Sequence, residues 1–245
     1  MIPWSYTAQR NNVYAASGLQ PEPESAHVLV FSLIRHGESV LEVGCSRGYF
    51  AEKIKLEKEC RVVGVEIDEN AAEIARQRVG MTVFVPTADL PALPDEYLGG
   101  FDTILCADVI EHVTDPWSFV NAYKKYLTPT GRMIVSIPNV AHWTCRLMIL
   151  RGNWEYNRFG LMDYTHLRFF TLESARRLLI ESHLVPKKII SSWGPMDVYQ
   201  RGPFAPTKHK GAHNLLVGLV KWLAKTYPTL FALQFVIEAE QENSL

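Results

Sequence analysis

The chain has 245 residues, 47% of them hydrophobic and 21% charged, with 25 basic residues against 26 acidic ones and a net charge of −1. That length suffices for one well-cored domain with room for an insertion, and the even charge balance gives no electrostatic reason to expect a nucleic-acid partner. No run reaches the ~18 uninterrupted apolar residues of a membrane span.

The nearest such run, Leu215 to Ile237, is broken by Lys221, Lys225 and Pro228. Its first half, with Leu215, Leu216, Leu219, Val220 and Leu223, has amphipathic helix spacing and is expected to pack on the protein's own sheet. The start of the chain shows no basic-then-apolar leader pattern. Cys45, Cys60, Cys106 and Cys145 lack metal-type pairing, so reduced thiols and a cytoplasmic protein are expected.

Residues 1–24 are polar and irregular and read as a lead-in, with a single domain over 25–245. Ser25 to Ile34 is a plausible helix. Val40-Leu-Glu-Val-Gly-Cys-Ser-Arg-Gly-Tyr-Phe50 then reads as strand, tight loop and helix start. Gly44 and Gly48 free the main chain of Cβ atoms, a geometry expected to bring backbone N–H groups against a small ligand. A dinucleotide fingerprint counted from Gly44 would need glycines at 46 and 49, where Ser46 and Tyr49 stand. A nicotinamide site is thereby disfavoured.

Arg61 to Asp68 is a second buried-type strand ending in acids. Glu66 holds the position from which, in α/β nucleotide folds, a carboxylate meets ribose hydroxyls; Asp68 suits a helix cap. Met81 to Val85 is a third strand. Gly100 to Pro116 reads as a fourth strand, a loop and a helix start, with the helix running to Leu127. A Thr-Pro-Thr-Gly turn leads to the fifth strand, Gly131 to Ile137. Such alternation implies a parallel sheet flanked by helices.

After Pro138 the pattern loosens. Residues of about 139–170 are dense in Trp, His, Tyr, Arg and Asn, as a ligand-facing lid would be. A capped helix from Thr171 to about Ser182 follows. Lys187–Ser191 and Phe231–Glu238 are the expected sixth and seventh strands, separated by an insertion over about 193–230.

The ordered motifs resemble those of the class I S-adenosylmethionine (SAM)-dependent methyltransferases of the small-molecule and glycan-associated type. Glu42 and the glycine loop match the family's first motif with Ser46 in place of the middle glycine, and the "FD…E-H-V-x-D-P" form of Phe101 to Pro116 matches its fourth. The resemblance implies a doubly wound, mostly parallel seven-stranded α/β sheet whose last strand runs antiparallel between the fifth and sixth. It implies SAM as cofactor, released as S-adenosylhomocysteine. Around the loop it brings Glu42, Gly44, Cys45, Ser46, Gly48, Tyr49 and Phe50 to that cofactor. Glu66 is then expected at the ribose, Ile67 against the adenine face, Asp89 with Leu90 at the adenine amino group, and Ala107 and Asp108 beside the methionine moiety.

Methyl transfer from a sulfonium is an in-line displacement that needs alignment, exclusion of water and, for many acceptors, removal of a proton. The expected acceptor wall is Asn139 to His142 with Gly160 to Thr171, the latter resembling a "D-x-x-H-x-R-F-F-T" segment of sugar, quinone-type and glycan-associated methyltransferases. His166 is the first candidate base, since its near-neutral titration suits proton removal. Asp163 or Tyr164 are candidates to orient it, Arg168 to meet an anionic acceptor group, and His142 is a rival base. His166 also has a purely structural reading, as a loop hydrogen bond.

Asp108, Glu111 and His112 would share a face if helical, which raises a metal-assisted alternative. No H-x-x-x-H follows to complete a ligand set, and no metal is expected. The expected function is transfer of a methyl group to an O or N of a small molecule or glycan precursor; a SAM-binding protein without catalysis is the alternative.

Overall fold

The computed structural model describes residues 25–86, 91, 93–193 and 210–242. Seven strands form one sheet in the order β3-β2-β1-β4-β5-β7-β6. β1 (Ser39–Val43), β2 (Arg61–Val65), β3 (Val83–Phe84), β4 (Phe101–Ala107) and β5 (Leu127–Pro138) run parallel. β7 (Gln234–Gln241) is antiparallel both to β5 and to β6 (Leu184–Ser192), between which it lies. This is the expected class I methyltransferase sheet.

Both faces are covered, and the period of two along each strand decides which side chain meets which layer. Val40 of β1, Leu105 of β4, Ile134 of β5 and Val236 of β7 share one core with α1 (Ala26–Leu33), α2 (Tyr49–Lys58) and α3 (Glu69–Val79). Their neighbours Leu41, Cys106, Val135 and Ile237 join a second core on the other face. There they meet Phe119 and Val120 of α4 (Pro116–Tyr123) and Leu178 and Leu179 of α6 (Leu172–Glu181). Helix starts follow their capping chemistry. Asp68 Oδ1 accepts from Asn70 N and Ala71 N at 2.9 and 3.1 Å, and Thr171 with Ser174 forms a capping box.

Several boundaries differ from expectation. The third strand keeps only Val83–Phe84 of Met81 to Val85. The fourth helix stops at Tyr123 and tightens into a 3₁₀ turn over Lys124–Tyr126. The Thr-Pro-Thr-Gly turn is absorbed into β5 as a register shift between Phe101 and Thr103 of the neighbouring β4. Before β7, Pro228 at a first helical position starts the short α8 (Pro228–Phe231), which removes Phe231 from the strand. Between β5 and α6 lies α5 (Trp143–Leu150), capped by His142. Of the amphipathic α7 (Lys210–Thr226), Ala224 is buried, while Leu219 and Trp222 are exposed, so the helix covers the protein with only part of its apolar surface. The lead-in 1–24, Asp89 and Leu90 lie outside the described residues.

Candidate active site

The loop after β1 sits where the carboxyl ends of β1, β2 and β4 meet. Gly44 has φ +78°, and a Cβ there would stand 2.7 Å from Val109 Cγ2. The β1 and β4 loops therefore touch only because residue 44 has no side chain. Gly48, at φ +76°, lies in the same way against Ala75 of α3. Ser46 adopts φ 47°, a left-handed conformation that glycine takes without penalty, which accounts for the glycine in the motif it replaces.

The expectation that loop N–H groups face a ligand is corrected. Gly44 N and Cys45 N both donate to Val65 O (2.8 and 3.0 Å), Gly48 N donates to Cys45 O (2.9 Å), and Ser46 N donates to Glu66 Oε2 (2.7 Å). These four amides are committed within the protein. The loop offers close approach and acceptor groups, which suit a cation better than a phosphate.

Glu66, at the end of β2, also accepts from Asp68 N through Oε1 at 2.9 Å. Each carboxylate oxygen thus accepts from a backbone amide, and the side chain is fixed on both atoms. Burial raises its pKa against the lowering effect of the Asp68, Ser46 and Ile67 amides. Glu42, behind the loop, is fully buried. Burial first, and then the charge of Glu66, push its carboxyl up to about 8. Glu42 Oε2 and Ser46 Oγ are buried without a hydrogen-bond partner among the described residues.

Asp108 ends the β4 edge with φ 55°. Its N–H donates to Ser136 Oγ (3.0 Å), and its Oδ1 accepts from that hydroxyl and from Gln234 Nε2, both at 2.7 Å. Ala107 and Ile67 flank this edge half-buried. Three expected side chains turn elsewhere. Cys45 belongs to the core beneath α1, with its sulfur where a Cβ on Gly64 would collide. Tyr49 stacks under the Arg78 guanidinium at 3.8 Å, and Phe50 meets His27 and Phe31 edge-on. Helix packing takes these aromatics because they lie on the sides of α2 that face α3 and α1.

On the acceptor side, the backbone N–H of His166 donates to Asp163 O at 3.0 Å. Asp163 Oδ1 accepts from Thr165 N and Oγ1 (2.9 and 2.7 Å) and shapes the turn. The His166 ring is oriented by Leu161 O, 3.3 Å from Nδ1. Its Nε2 stands 3.9 Å from Glu111 Oε1, and His112 Nε2 is 4.0 Å from the same oxygen. Leu167 N and Arg168 N both donate to Glu111 O (2.8 and 3.0 Å), and the Arg168 guanidinium donates to Thr114 O. Arg168 is thus a clamp between the two segments, more than a free anion-binding group.

His142 is corrected as a base. Its Nδ1 accepts from Thr144 N (3.4 Å) to cap α5, and burial lowers its pKa to about 4. Its Nδ1 also lies 2.7 Å from Thr144 Oγ1, and a ring with its pKa so lowered takes up a proton poorly near neutral pH. Asn139 is equally structural, donating to Thr229 O and Ala232 O at 3.1 and 2.8 Å. A different group faces solvent: Trp154, Tyr156 and Phe169 contact one another edge-on or tilted, and Phe169 also meets the His166 ring.

Sequence reasoning left out Ser136, Gln234 and Val109, and named Glu111 only on a helical premise. Gln234 comes from a strand 126 positions after Asp108, so no local pattern could announce it. Glu111 was legible as the acid of "E-H-V", but its meeting with His166 is tertiary.

A family model described as a methyltransferase domain matches residues 16–184. The chain belongs to this family. Among curated relatives, a ubiquinone biosynthesis O-methyltransferase of Idiomarina loihiensis is 29% identical over 136 residues, covering 50% of this chain and 56% of that protein. The chain spans about half the length of the curated relatives it matches. A SAM-dependent methyltransferase of Thermotoga maritima, described as a possible histamine N-methyltransferase, has a TM-score of 0.64 at 19% identity, covering 98% of this chain and all of that one. The 1,6-didemethyltoxoflavin-N1-methyltransferase of Burkholderia thailandensis gives 0.56 at 16%, covering 98% and 88%. At such identities the structural likeness concerns the fold alone, and that fold is the one of SAM-dependent methyltransferases. For the methyltransferase domain the sheet edge just described is the one at which open α/β sheets take their ligands.

Proposed function

We propose that the chain transfers a methyl group from SAM to an oxygen or nitrogen of a small-molecule acceptor. The observation that carries this is the junction of three loops at one sheet edge. The Ser46 amide is bonded to Glu66, Gly44 lies against Val109, and Asp108 is locked to β5 and β7. The residues fit the cofactor. Glu42 and Glu66 are buried acids, Glu42 Oε2 and Ser46 Oγ lack partners among the described residues, and a net-cationic ligand with an ammonium and a sulfonium meets acceptors there.

In this reading Glu66 takes the ribose hydroxyls on its remaining lone pairs, and Ile67 offers an apolar face to the base. Asp89 and Leu90 complete the adenine end. Gly44, Gly48 and Ser46 leave room for the cofactor, and Ala107 and Asp108 border its methionine portion. When bound, SAM supplies an already activated methyl group. The protein then has to hold the acceptor in line, exclude water and accommodate its proton. The cluster around His166 is the group for that last task, and residues of about 139–170 act as the lid that closes over the acceptor. The exposed Trp154 and Tyr156 rings, with the half-buried Phe169 beside them, favour a planar or aromatic acceptor over a glycan precursor. Function in the cytoplasm is part of the same proposal; no helix among the described residues is long and apolar enough to cross a membrane.

The test is incubation of the full chain with methyl-labelled SAM and separate panels of hydroxylated aromatics, amines and sugar derivatives. Label should pass to a hydroxyl or amine in the first two panels. Saturable SAM binding with no transfer to any acceptor would instead support a non-catalytic SAM-binding protein.

A further inference from the structure

Glu111 and His112 come from the 3₁₀ turn after β4, and His166 arrives from a segment 54 positions later. All three are buried, and their ligand-type atoms lie within 4.8 Å of one another. The tautomers are fixed by what the rings' other nitrogens face. His112 Nδ1 is 3.1 Å from Thr165 O, and His166 Nδ1 is 3.3 Å from Leu161 O. A carbonyl only accepts, so in each neutral ring Nδ1 carries the proton and Nε2 presents its lone pair. Both Nε2 atoms then face one carboxylate oxygen at 3.9–4.0 Å. That spacing is too long for a hydrogen bond and suits ligands arranged around a central ion.

We propose that Glu111, His112 and His166 form a binding site for a divalent transition ion of the zinc class, ligated by Oε1, Nε2 and Nε2. Two imidazoles and one carboxylate form a ligand set that leaves a coordination position open. Asp108 is no part of it, since Ser136 and Gln234 hold its carboxylate. The scaffold is built before any ion arrives: Leu167 and Arg168 bond their amides to the Glu111 carbonyl, and Asp163 shapes the turn that delivers His166. The sequence placed the first two ligands beside Asp108 but not the third, which is why a metal stood there only as an alternative.

Ion binding stands apart from the proposed activity; its catalytic use rests on that reading. There, an acceptor hydroxyl on the open position loses its proton to solvent water more easily than when free. Its oxygen forms the new O–CH3 bond as the C–S bond breaks, and the electron pair stays on the sulfur of S-adenosylhomocysteine. His166 is then a ligand and not the base.

The test strips the full chain of metal with a chelator and titrates it with Zn2+ by calorimetry. A parallel titration with Co2+ is followed by its visible absorption bands. One equivalent of each should bind, with Co2+ bands of low-symmetry nitrogen and oxygen coordination. Glu111→Gln, His112→Gln and His166→Gln should each weaken binding at least tenfold, while exposed His183→Gln leaves it unchanged. Thermal unfolding and SAM affinity of the same samples separate a lost ligand from a lost fold. A wild-type chain that binds SAM but neither ion overturns the site and leaves a metal-free Glu–His cluster. Stoichiometric ion binding that survives all three substitutions overturns it as well. Zinc bound without SAM affinity would retire the methyltransfer reading and leave the metal site standing.

Discussion

The two ends of the sheet treat buried charge in opposite ways. At the amino edge Arg132, almost fully enclosed, donates to Glu38 Oε1 at 2.6 Å and Oε2 at 3.0 Å and to Leu33 O at 2.9 Å, and its Nε stands 2.8 Å from Glu238. Thr103 and the Arg35 amide take further Glu38 lone pairs. At the carboxyl edge burial raises the proton affinity of two acids, Glu42 and Glu66, the charge of Glu66 raises that of Glu42 further, and Ser46 and Asp108 hold left-handed backbone. The remaining left-handed non-glycine residues among those described, Glu59 and His183, sit just past helix ends, where that conformation is routine. Charge that only holds the fold together finds its counter-charge inside the chain. Charge and strain gathered at the other edge are left for the cationic ligand proposed above.

Breaking the amino edge should cost the most stability. Arg132→Met strands Glu38 and Glu238, and urea unfolding should show a loss of about 3–5 kcal/mol. SAM affinity of the fraction that folds should be unchanged, because the substitution lies at the far end of β5. A loss of affinity larger than the loss of folded protein would mean that the two edges are coupled.

At the carboxyl edge the expected damage is to binding. Glu66→Ala removes the ribose acceptor and the tie between Ser46 and Asp68, and should weaken SAM by roughly 1–3 kcal/mol. Unaltered affinity would take Glu66 out of the site. Gly44→Ala puts a methyl group 2.7 Å from Val109 Cγ2 at a positive φ. It should lower stability by ~1–3 kcal/mol and SAM affinity with it; a neutral outcome would show that the β1 and β4 loops part freely.

Glu42 gives a prediction in pH. Its carboxyl goes from 4.5 to about 8 on folding, so between those values the native state binds more protons than the unfolded one and stability falls as pH rises. Glu42→Gln removes this slope. Its melting temperature should gain on the wild type from about pH 5 to pH 8 and run parallel above. A gap that stays constant with pH would mean that Glu42 is ionised throughout. The smallest effect is expected for Ser46→Gly, which relieves a left-handed serine worth about 1 kcal/mol, partly offset by the freedom glycine gains when unfolded.

What could be read from the residues alone divides along the same line. Strand–helix alternation, the caps at Asp68 and Thr171 and the acid at the end of β2 are local patterns, and each stands where expected. The failures are of two kinds. Tyr49, Phe50 and Cys45 were grouped with the loop by adjacency, but an α-helix turns about 100° per residue and a strand alternates, so neighbours in sequence face different layers. His142 and Asp163 carry the right side chains for proton transfer, but His142 caps a helix and Asp163 Oδ1 shapes a turn, which only the backbone course reveals. The meeting of His166 with Glu111 and His112 was invisible for the opposite reason: no spacing rule joins residues brought together by two backbone amides on one carbonyl.

The most direct test is a calorimetric titration of the full chain with SAM near pH 7, repeated in buffers of different ionisation enthalpy. One molecule should bind per chain. Protons should be released as the bound cation draws Glu42 below its raised value, and the release should vanish in Glu42→Gln. Binding of neither SAM nor S-adenosylhomocysteine would contradict the assignment of the carboxyl edge as the cofactor site.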